Sequence, residues 1–238
     1  MKKQTLTRLP VALVAVTAAA SLAHTTAARA DDSVPSNTFR AGVYELLYHV
    51  KADDFHGPFV PAGANIDLKD ARTAYFAYLR RITSYLDVEF AFGIPPKTKT
   101  EGKGPATLGS VPYNGQIIAT AKWLAPTVLL EYKFLPESSH WRPYIGVGVN
   151  YTTFYDRQVT YAGQQATGGP SRLSLTSSIG PAGTVGLKYQ MDRHWSFNAS
   201  WSISRVNSDL KVETAGEVRT AHVKFGPQAV VAAAGYSF

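Results

Sequence analysis

Apolar and polar residues alternate along eight segments of this chain, and the stretches between the segments are alternately long and short. An alternation of period two predicts β-strands with one apolar face. The predicted strands are residues 41–50, 73–82, 87–95, 119–134, 141–155, 178–190, 195–206 and 222–238. Eight strands with tight turns at one rim and long loops at the other are typical of bacterial outer-membrane barrels. We therefore predict an all-β fold, an eight-stranded antiparallel transmembrane β-barrel.

The first 30 residues have the pattern of a secretory signal. Lys2, Lys3 and Arg8 form a positive start, residues 11–20 are almost wholly apolar, and Ala28-Arg29-Ala30 places small residues where a signal peptidase cleaves. An uncleaved anchor helix is the alternative, but the apolar run is short for a span of about 20 residues. We predict cleavage after Ala30 and a single mature barrel domain at 31–238.

Charge and cysteine content narrow the function classes. The leader holds four of the 24 basic residues and none of the 17 acidic ones, so the mature chain has a net charge near +3. This balance gives no electrostatic reason to expect nucleic acid as a partner. The chain has no cysteine, so a secreted domain must be stabilised by a core or by closure of a sheet rather than by disulfides.

The aromatic residues distinguish a membrane barrel from a soluble one. A lipocalin-type barrel also alternates, with its apolar face inward. In this chain, aromatic residues lie mostly near strand ends on the apolar face, as interfacial girdles do. These residues are Tyr44, Tyr48, Tyr132, Phe134, Tyr189, Trp195, Tyr236 and Phe238.

Several motifs resemble the OmpW family of small outer-membrane barrels. They are Leu124-Ala125-Pro126-Thr127, the run from Trp141 to Asp156 (WRPYIGVGVNYTTFYD), Gly180-Pro181-Ala182-Gly183 and the terminal Gly235-Tyr236-Ser237-Phe238. The resemblance implies a location in the outer membrane and passage of small hydrophobic molecules. It also implies lateral release near Pro126, a constriction at positions corresponding to Ala91 and Ile179, and an assembly signal at Tyr236 and Phe238 that the barrel assembly machinery reads.

The less apolar strand faces predict the contents of the lumen. Five charged residues fall inward near the short-turn rim, namely Glu89, Glu131, Lys133, Arg142 and Lys188. Arg81 joins them if the register of its strand is right. Because unpaired charges in a narrow barrel are costly, these groups should pair and plug the periplasmic end.

The outer half of the same lumen is predicted to be apolar. Leu47, Ala121, Trp123, Ala125 and Leu129 fall inward there. Proline cannot donate a hydrogen bond to a strand ladder. Pro126 therefore predicts a lateral opening in the barrel wall, and Pro181 predicts a second, weaker break in strand pairing. The alternative is that bulges absorb these prolines and no exit exists.

The remaining candidates for chemistry are weak. The five histidines outside the leader show no metal-ligand spacing, so we predict no metal and no cofactor. The lysine-rich run 97–103 is a candidate contact for lipopolysaccharide phosphates. Two other function classes stay open: a structural or receptor barrel acting through loops 51–72, 96–118, 156–177 and 207–221, and a lipid-modifying enzyme. The enzyme would use the loop residues Asp53, Asp54, His56 and Ser208, but no motif demands it and we predict none.

Overall fold

The computed structural model describes residues 35–108 and 110–238, so the predicted leader at 1–30 lies outside the described residues. Seventeen strands and one short helix, α1 (Tyr161–Thr167), are present in the described part. The strands are β1 (Asn37–Tyr48), β2 (Lys51–Ala52), β3 (Asn65–Leu68), β4 (Ala71–Arg81), β5 (Leu86–Gly93), β6 (Lys97–Lys103), β7 (Thr107–Leu108), β8 (Val111–Pro112), β9 (Ile117–Leu124), β10 (Thr127–Lys133), β11 (Trp141–Val159), β12 (Ser171–Leu175), β13 (Ser178–Gln190), β14 (Trp195–Ser204), β15 (Asn207–Thr214), β16 (Glu217–Lys224) and β17 (Pro227–Ser237). No helix within these ranges has both the length and the apolar content needed to cross a bilayer.

Eight of the strands close into an antiparallel barrel, which confirms the predicted fold. Around the barrel, β1 pairs with β4, β4 with β5, β5 with β10, and β10 with β11. The circuit continues through β13, β14 and β17. It closes where β17 pairs with β1, for example at Phe39↔Tyr236. Closure gives each of the eight strands a partner on both sides, as a strand that spans a bilayer requires.

The predicted long loops are wrong, because much of their length is strand. On the long-loop side the wall continues as two sheets, one of β12, β15, β16 and β2 and the other of β11, β9, β6 and β3. Of these strands, β9 and β11 fall in the predicted strands 119–134 and 141–155, whereas β2, β3, β6, β12 and β15 were missed because they are short or polar: β6 reads KTKTEGK. Such strands are held by backbone hydrogen bonds, so their sequences need not show the apolar alternation that predicts a strand. An apolar core lies inside this extension, around Leu173, Leu210 and Phe225.

Aromatic side chains cover the outer face of the barrel near the short-turn rim. Tyr132, Phe134, Trp195, Tyr236 and Phe238 are exposed there, as predicted. Ring contacts join neighbours, with centroids 5.1 Å apart for Trp195 and Tyr236 and 5.3 Å apart for Tyr132 and Phe134. Such a belt is typical of a membrane interface.

The register of β1 corrects three predictions. Tyr44 and Tyr48 were placed on the outer face, but they point into the lumen with Leu46, while Leu47 points outward. A shift of one residue reverses every side chain of a strand. The misleading residue was Glu45, which made the outer face look polar. In the structure Glu45 accepts a hydrogen bond from Arg72 at 2.9 Å on the outer surface.

Candidate functional site

A buried ion cluster fills the lumen near the short-turn rim. The guanidinium of Arg40 contacts Glu89 at 2.6 Å and Glu131 at 3.2 Å. The three side chains are almost completely buried, with relative exposures of 1%, 4% and 0%. Because each charge has an opposite partner at hydrogen-bond distance, the cluster avoids the large cost of an unpaired buried charge.

Further contacts extend the plug to the barrel wall. Lys133 pairs with Asp87, and the Tyr75 hydroxyl donates to Glu89 at 2.7 Å. Arg142 donates to two backbone carbonyls of the rim, those of Leu135 at 3.1 Å and Ser84 at 2.5 Å. These bonds tie the plug both to the barrel strands and to the turns below them.

The strand register explains why acids and bases interleave. Asp87 and Glu131 are directly opposite each other on β5 and β10, an arrangement that would be unfavourable alone. Arg40 and Lys133 bring the two cations that offset it. The structure therefore places the five plug residues of the sequence analysis in the lumen, and it adds Arg40, Asp87 and Tyr75. Arg40 was missed because the first strand was predicted to begin at 41, whereas β1 begins at Asn37.

Arg81 lies at the rim rather than in the cluster. Its guanidinium contacts Glu137 at 3.0 Å, and both side chains are about one quarter exposed. The predicted inward register of its strand agrees with the burial of Tyr75, Ala77 and Leu79. Arg81 and Glu137 thus form the lower edge of the plug.

Two apolar cavities lie above the plug, each with a volume of about 120 Å³. The lower cavity is bounded by Tyr44, Ala91, Leu129 and Val231, and Glu89 of the plug forms its floor. The upper cavity lies within the polar extension of the wall. It is lined by apolar residues that include Phe55, Ile66, Tyr113, Leu173 and Leu210.

Tyr113 and Arg219 are polar residues that line the upper cavity, and the Tyr113 phenol is held neutral. Its hydroxyl donates to the carbonyl of Asn65 at 3.2 Å. Burial raises the pKa of the Tyr113 phenol to about 12. The upper cavity therefore gains no charge from this residue near neutral pH.

Trp123 separates the two cavities, because its side chain lines both. The ring lies among Tyr48, Phe154 and Phe225, with centroid distances of 5.0, 4.7 and 4.7 Å. We call these four residues the aromatic septum. Trp123 was predicted to lie in the solute path, whereas the constriction was expected at Ala91 and Ile179.

The predicted constriction at Ile179 is wrong. Ile179 is 74% exposed on the outer face, opposite Tyr151. The inward positions of β13 are the even ones, as the burial of Ser178, Thr184 and Lys188 shows. Ala91 does line the lower cavity, together with Trp123, Ala125 and Leu129, whereas Leu47 does not.

The barrel wall is interrupted beside the lower cavity. The ladder between β5 and β10 ends at Ala91↔Thr127, and pairing resumes between β6 and β9 at Lys97↔Lys122. Between these points, residues 92–96 and 123–126 share no backbone pairing. We call this interruption the lateral gap. Pro96, Ala125 and Thr127 line both the gap and the lower cavity, so the two are continuous.

Prolines occur on both edges of the lateral gap. The predicted strand at 119–134 is in fact β9 and β10, broken at Ala125 and Pro126. Pro95 and Pro96 lie on the opposite edge and were missed. Proline lacks the N–H that a ladder needs. Because the carbonyl of Pro126 accepts from the N–H of Tyr151 at 3.0 Å, Pro126 stays bound to β11 and does not form the gap alone.

Asn150 of β11 holds the broken strand in place. Its amide donates to the Thr127 hydroxyl at 2.8 Å and to the Ala125 carbonyl at 3.3 Å. Thr152 in turn donates to the Asn150 amide oxygen at 2.7 Å. The interrupted backbone is thus satisfied from within the lumen, as a built feature requires. The second predicted break in strand pairing is absent from the described strands, because the ladder continues through Val149↔Pro181.

The lateral gap has apolar sides and a basic upper edge. Phe92, Ile94 and Leu124 are exposed on the outer face beside it. Directly above, Lys97 and Lys122 are opposite each other on β6 and β9. The Lys122 ammonium contacts Asp156 at 3.2 Å. The change from apolar to basic residues indicates the level at which the outer surface leaves the hydrocarbon of a bilayer.

Comparisons with known proteins agree with this architecture. The OmpW family model matches residues 37–238. Outer membrane protein W of Escherichia coli is 34% identical over 146 residues, which cover 58% of this chain and 68% of that protein. Outer membrane protein W of Vibrio cholerae is 28% identical, over 84% of this chain and 87% of that protein. The crystal structure of OprG from Pseudomonas aeruginosa superposes with a TM-score of 0.76 at 22% identity, over 86% of this chain and 96% of that chain. Because the family match spans nearly the whole described barrel, the chain belongs to the OmpW family and is an outer-membrane protein of a Gram-negative bacterium.

Proposed function

We propose that this protein takes up small hydrophobic molecules from outside the cell and releases them sideways into the membrane. The observation that carries the proposal is the continuity of the lower apolar cavity with the lateral gap, directly above a charged plug. A solute in that cavity has a charged floor below it and an interrupted wall beside it.

The cavities favour a small and uncharged solute. An apolar cavity of about 150 Å³ stays dry and binds benzene. Each cavity here has a similar volume of about 120 Å³. Moving a charged or strongly polar solute into such a site would cost its hydration without replacing it. We therefore infer a solute the size of a single aromatic ring, or a longer molecule that fills both cavities in turn.

The aromatic septum is the barrier between entry and exit. Trp123 is 6% exposed and contacts three aromatic rings, so passage requires its side chain to move. Rotation of one buried indole exposes an apolar surface to an apolar solute rather than to water. We infer that Trp123 limits the rate for bulky solutes.

Exit through the plug is unfavourable, whereas exit through the lateral gap is not. A solute moving downward would have to separate Arg40 from Glu89 or Glu131 in a buried site, which costs several kcal/mol. A solute moving sideways passes Phe92, Ile94 and Leu124, which face the hydrocarbon. The free-energy difference between the two routes favours lateral release.

Two further partners follow from the outer surface. We propose that Lys97, Lys99 and Lys122 contact lipopolysaccharide phosphates above the lateral gap, since Lys97 and Lys99 are exposed at the upper edge of the apolar belt. We also propose that the exposed Tyr236 and Phe238, at the end of the closing strand, are read by the barrel assembly machinery.

We infer that the protein is not an enzyme. Ser208 is buried, and its hydroxyl donates to the Thr176 carbonyl at 2.8 Å. The backbone of His56 pairs with Thr220. Among the hydrogen bonds between described residues, none joins the two side chains into a nucleophile and base.

Uptake into proteoliposomes tests the proposed function. Vesicles that contain the folded protein should take up a single-ring apolar compound faster than protein-free vesicles that are given the same concentration of the compound. They should not take up a sugar of similar size, and ion conductance in a planar bilayer should stay low. A large conductance together with equal uptake of both solutes would indicate an aqueous pore and contradict the proposal.

A further inference from the structure

The charges in the plug do not balance. Within the described residues, the buried charged side chains are four cations and three carboxylates. The cations are Arg40, Lys133, Arg142 and Lys188, and the acids are Asp87, Glu89 and Glu131. With all seven groups ionised, the lumen near the short-turn rim would carry one excess positive charge in a site that is largely closed to water.

Lys188 is the cation without a counter-charge. The three carboxylates pair with Arg40 and Lys133, and Arg142 donates to backbone carbonyls. Lys188 is 6% exposed, and it makes no hydrogen bond or ion pair within the described chain. An isolated ammonium in such a site is strongly unfavourable.

The residues around Lys188 are donors. In the strand register, Lys188 is directly opposite Arg142 on β11 and Asn198 on β14. The Asn198 amide oxygen already accepts from the Tyr144 hydroxyl at 2.9 Å. The amide nitrogen of Asn198 is buried and donates to no described residue. This part of the wall thus presents an ammonium and an amide N–H side by side, with no acceptor for either.

We propose that Lys188 and Asn198 bind a small monovalent anion of halide size inside the barrel. The anion would accept from the Lys188 ammonium and the Asn198 amide, and it would bring the net charge of the plug to zero. Arg142 would stabilise it through space. Around the barrel, Asn198 on β14 lies three strands from Glu131 on β10 and four from Asp87 on β5, whereas Lys188 on β13 is one strand closer to both acids.

Chloride dependence of stability tests this site. The folded barrel is unfolded with urea in detergent micelles at constant ionic strength, with sodium chloride replacing sodium gluconate. If only the folded state binds the anion, each tenfold rise in chloride above the dissociation constant should raise the folding equilibrium constant about tenfold. Bromide should act in the same way, and in bromide-soaked crystals it should give an anomalous peak beside the Lys188 ammonium.

Two variants and one control locate the effect. Lys188→Met should remove the chloride dependence and still fold, because it leaves three cations and three acids. Asn198→Asp should also remove it, since the added carboxylate oxygen takes the place of the anion and keeps the bond from Tyr144. Lys211→Met, at an exposed position of β15, should keep the full dependence.

Two results would overturn the proposed anion site. Equal stability of the native protein in chloride and gluconate would mean that water alone solvates Lys188, and it would overturn the proposal. A chloride dependence that persists in Lys188→Met or Asn198→Asp would place the ion elsewhere and overturn it as well.

Discussion

Replacement of Arg40 by methionine should destabilise the barrel more than any other single change in the plug. Arg40 contacts two buried carboxylates, at 2.6 and 3.2 Å, and lies 5.5 Å from the centre of the Tyr144 ring. Removing one partner of a buried ion pair costs about 3–5 kcal/mol, because the other charge is left unpaired. Since two acids lose their partner here, we expect about 5 kcal/mol, a decrease of about 10³ or more in the folding equilibrium constant.

The measurement is equilibrium unfolding in urea, followed by tryptophan fluorescence in lipid vesicles. The matched control is Arg72→Met, which removes an arginine–glutamate contact of 2.9 Å on the exposed outer face. That pair should contribute less than about 1 kcal/mol. The combined variant Arg40→Met, Glu89→Gln, Glu131→Gln should recover most of the lost stability, because neutral groups replace the whole cluster. An Arg40→Met protein no less stable than Arg72→Met would refute the plug as a paired ion cluster.

Three further predictions concern the solute path and assembly. Trp123→Ala should join the two cavities, cost about 3–5 kcal/mol of stability and increase uptake of bulky apolar solutes several-fold, as measured by fluorescence quenching in proteoliposomes; an unchanged rate would show that the septum is not the barrier. Asn150→Leu should leave the carbonyls at the strand break unsatisfied, cost about 1–3 kcal/mol and accelerate hydrogen exchange in residues 123–130, whereas Val147→Leu on the outward face of the same strand should do neither. Phe238→Ala should reduce the amount of protein reaching the outer membrane but leave the urea midpoint of purified, refolded protein nearly unchanged; wild-type levels in the membrane would argue against the assembly signal.

The contents of the plug could be predicted because side chains alternate strictly between the two faces of a regular strand. On β5, β10, β11 and β13 the charged residues fall on the face opposite clear apolar runs, so one correct alternation places Glu89, Glu131, Arg142 and Lys188 together. On β1 both faces carry apolar residues, and the outward Glu45 makes the outer face look like the more polar one. The wrong assignment of Leu47 has this cause.

The lateral gap could be predicted only in part. Pro126 indicates a broken strand, but the gap also needs the break at Pro95 and Pro96, about 30 residues earlier in the chain. Only the register between β5 and β10 places these two breaks next to each other at the same level along the barrel axis. The aromatic septum was missed for a similar reason, since Trp123, Phe154 and Phe225 come from three distant strands or loops.

Reversible closure of the lateral gap tests the proposed route most directly. The chain has no cysteine, so introduced thiols are the only ones present. Ile94→Cys with Leu124→Cys places one thiol on each exposed edge of the gap, within reach of a short reducible cross-linker. Ile145→Cys with Val185→Cys is the matched control, because these exposed residues are partners in an intact ladder.

Uptake of a single-ring apolar compound is then measured in proteoliposomes before cross-linking, after cross-linking and after reduction. Lateral release predicts that the Ile94/Leu124 cross-link abolishes uptake and reduction restores it, while the Ile145/Val185 cross-link has no effect. Full uptake through a barrel cross-linked across the lateral gap would contradict the account.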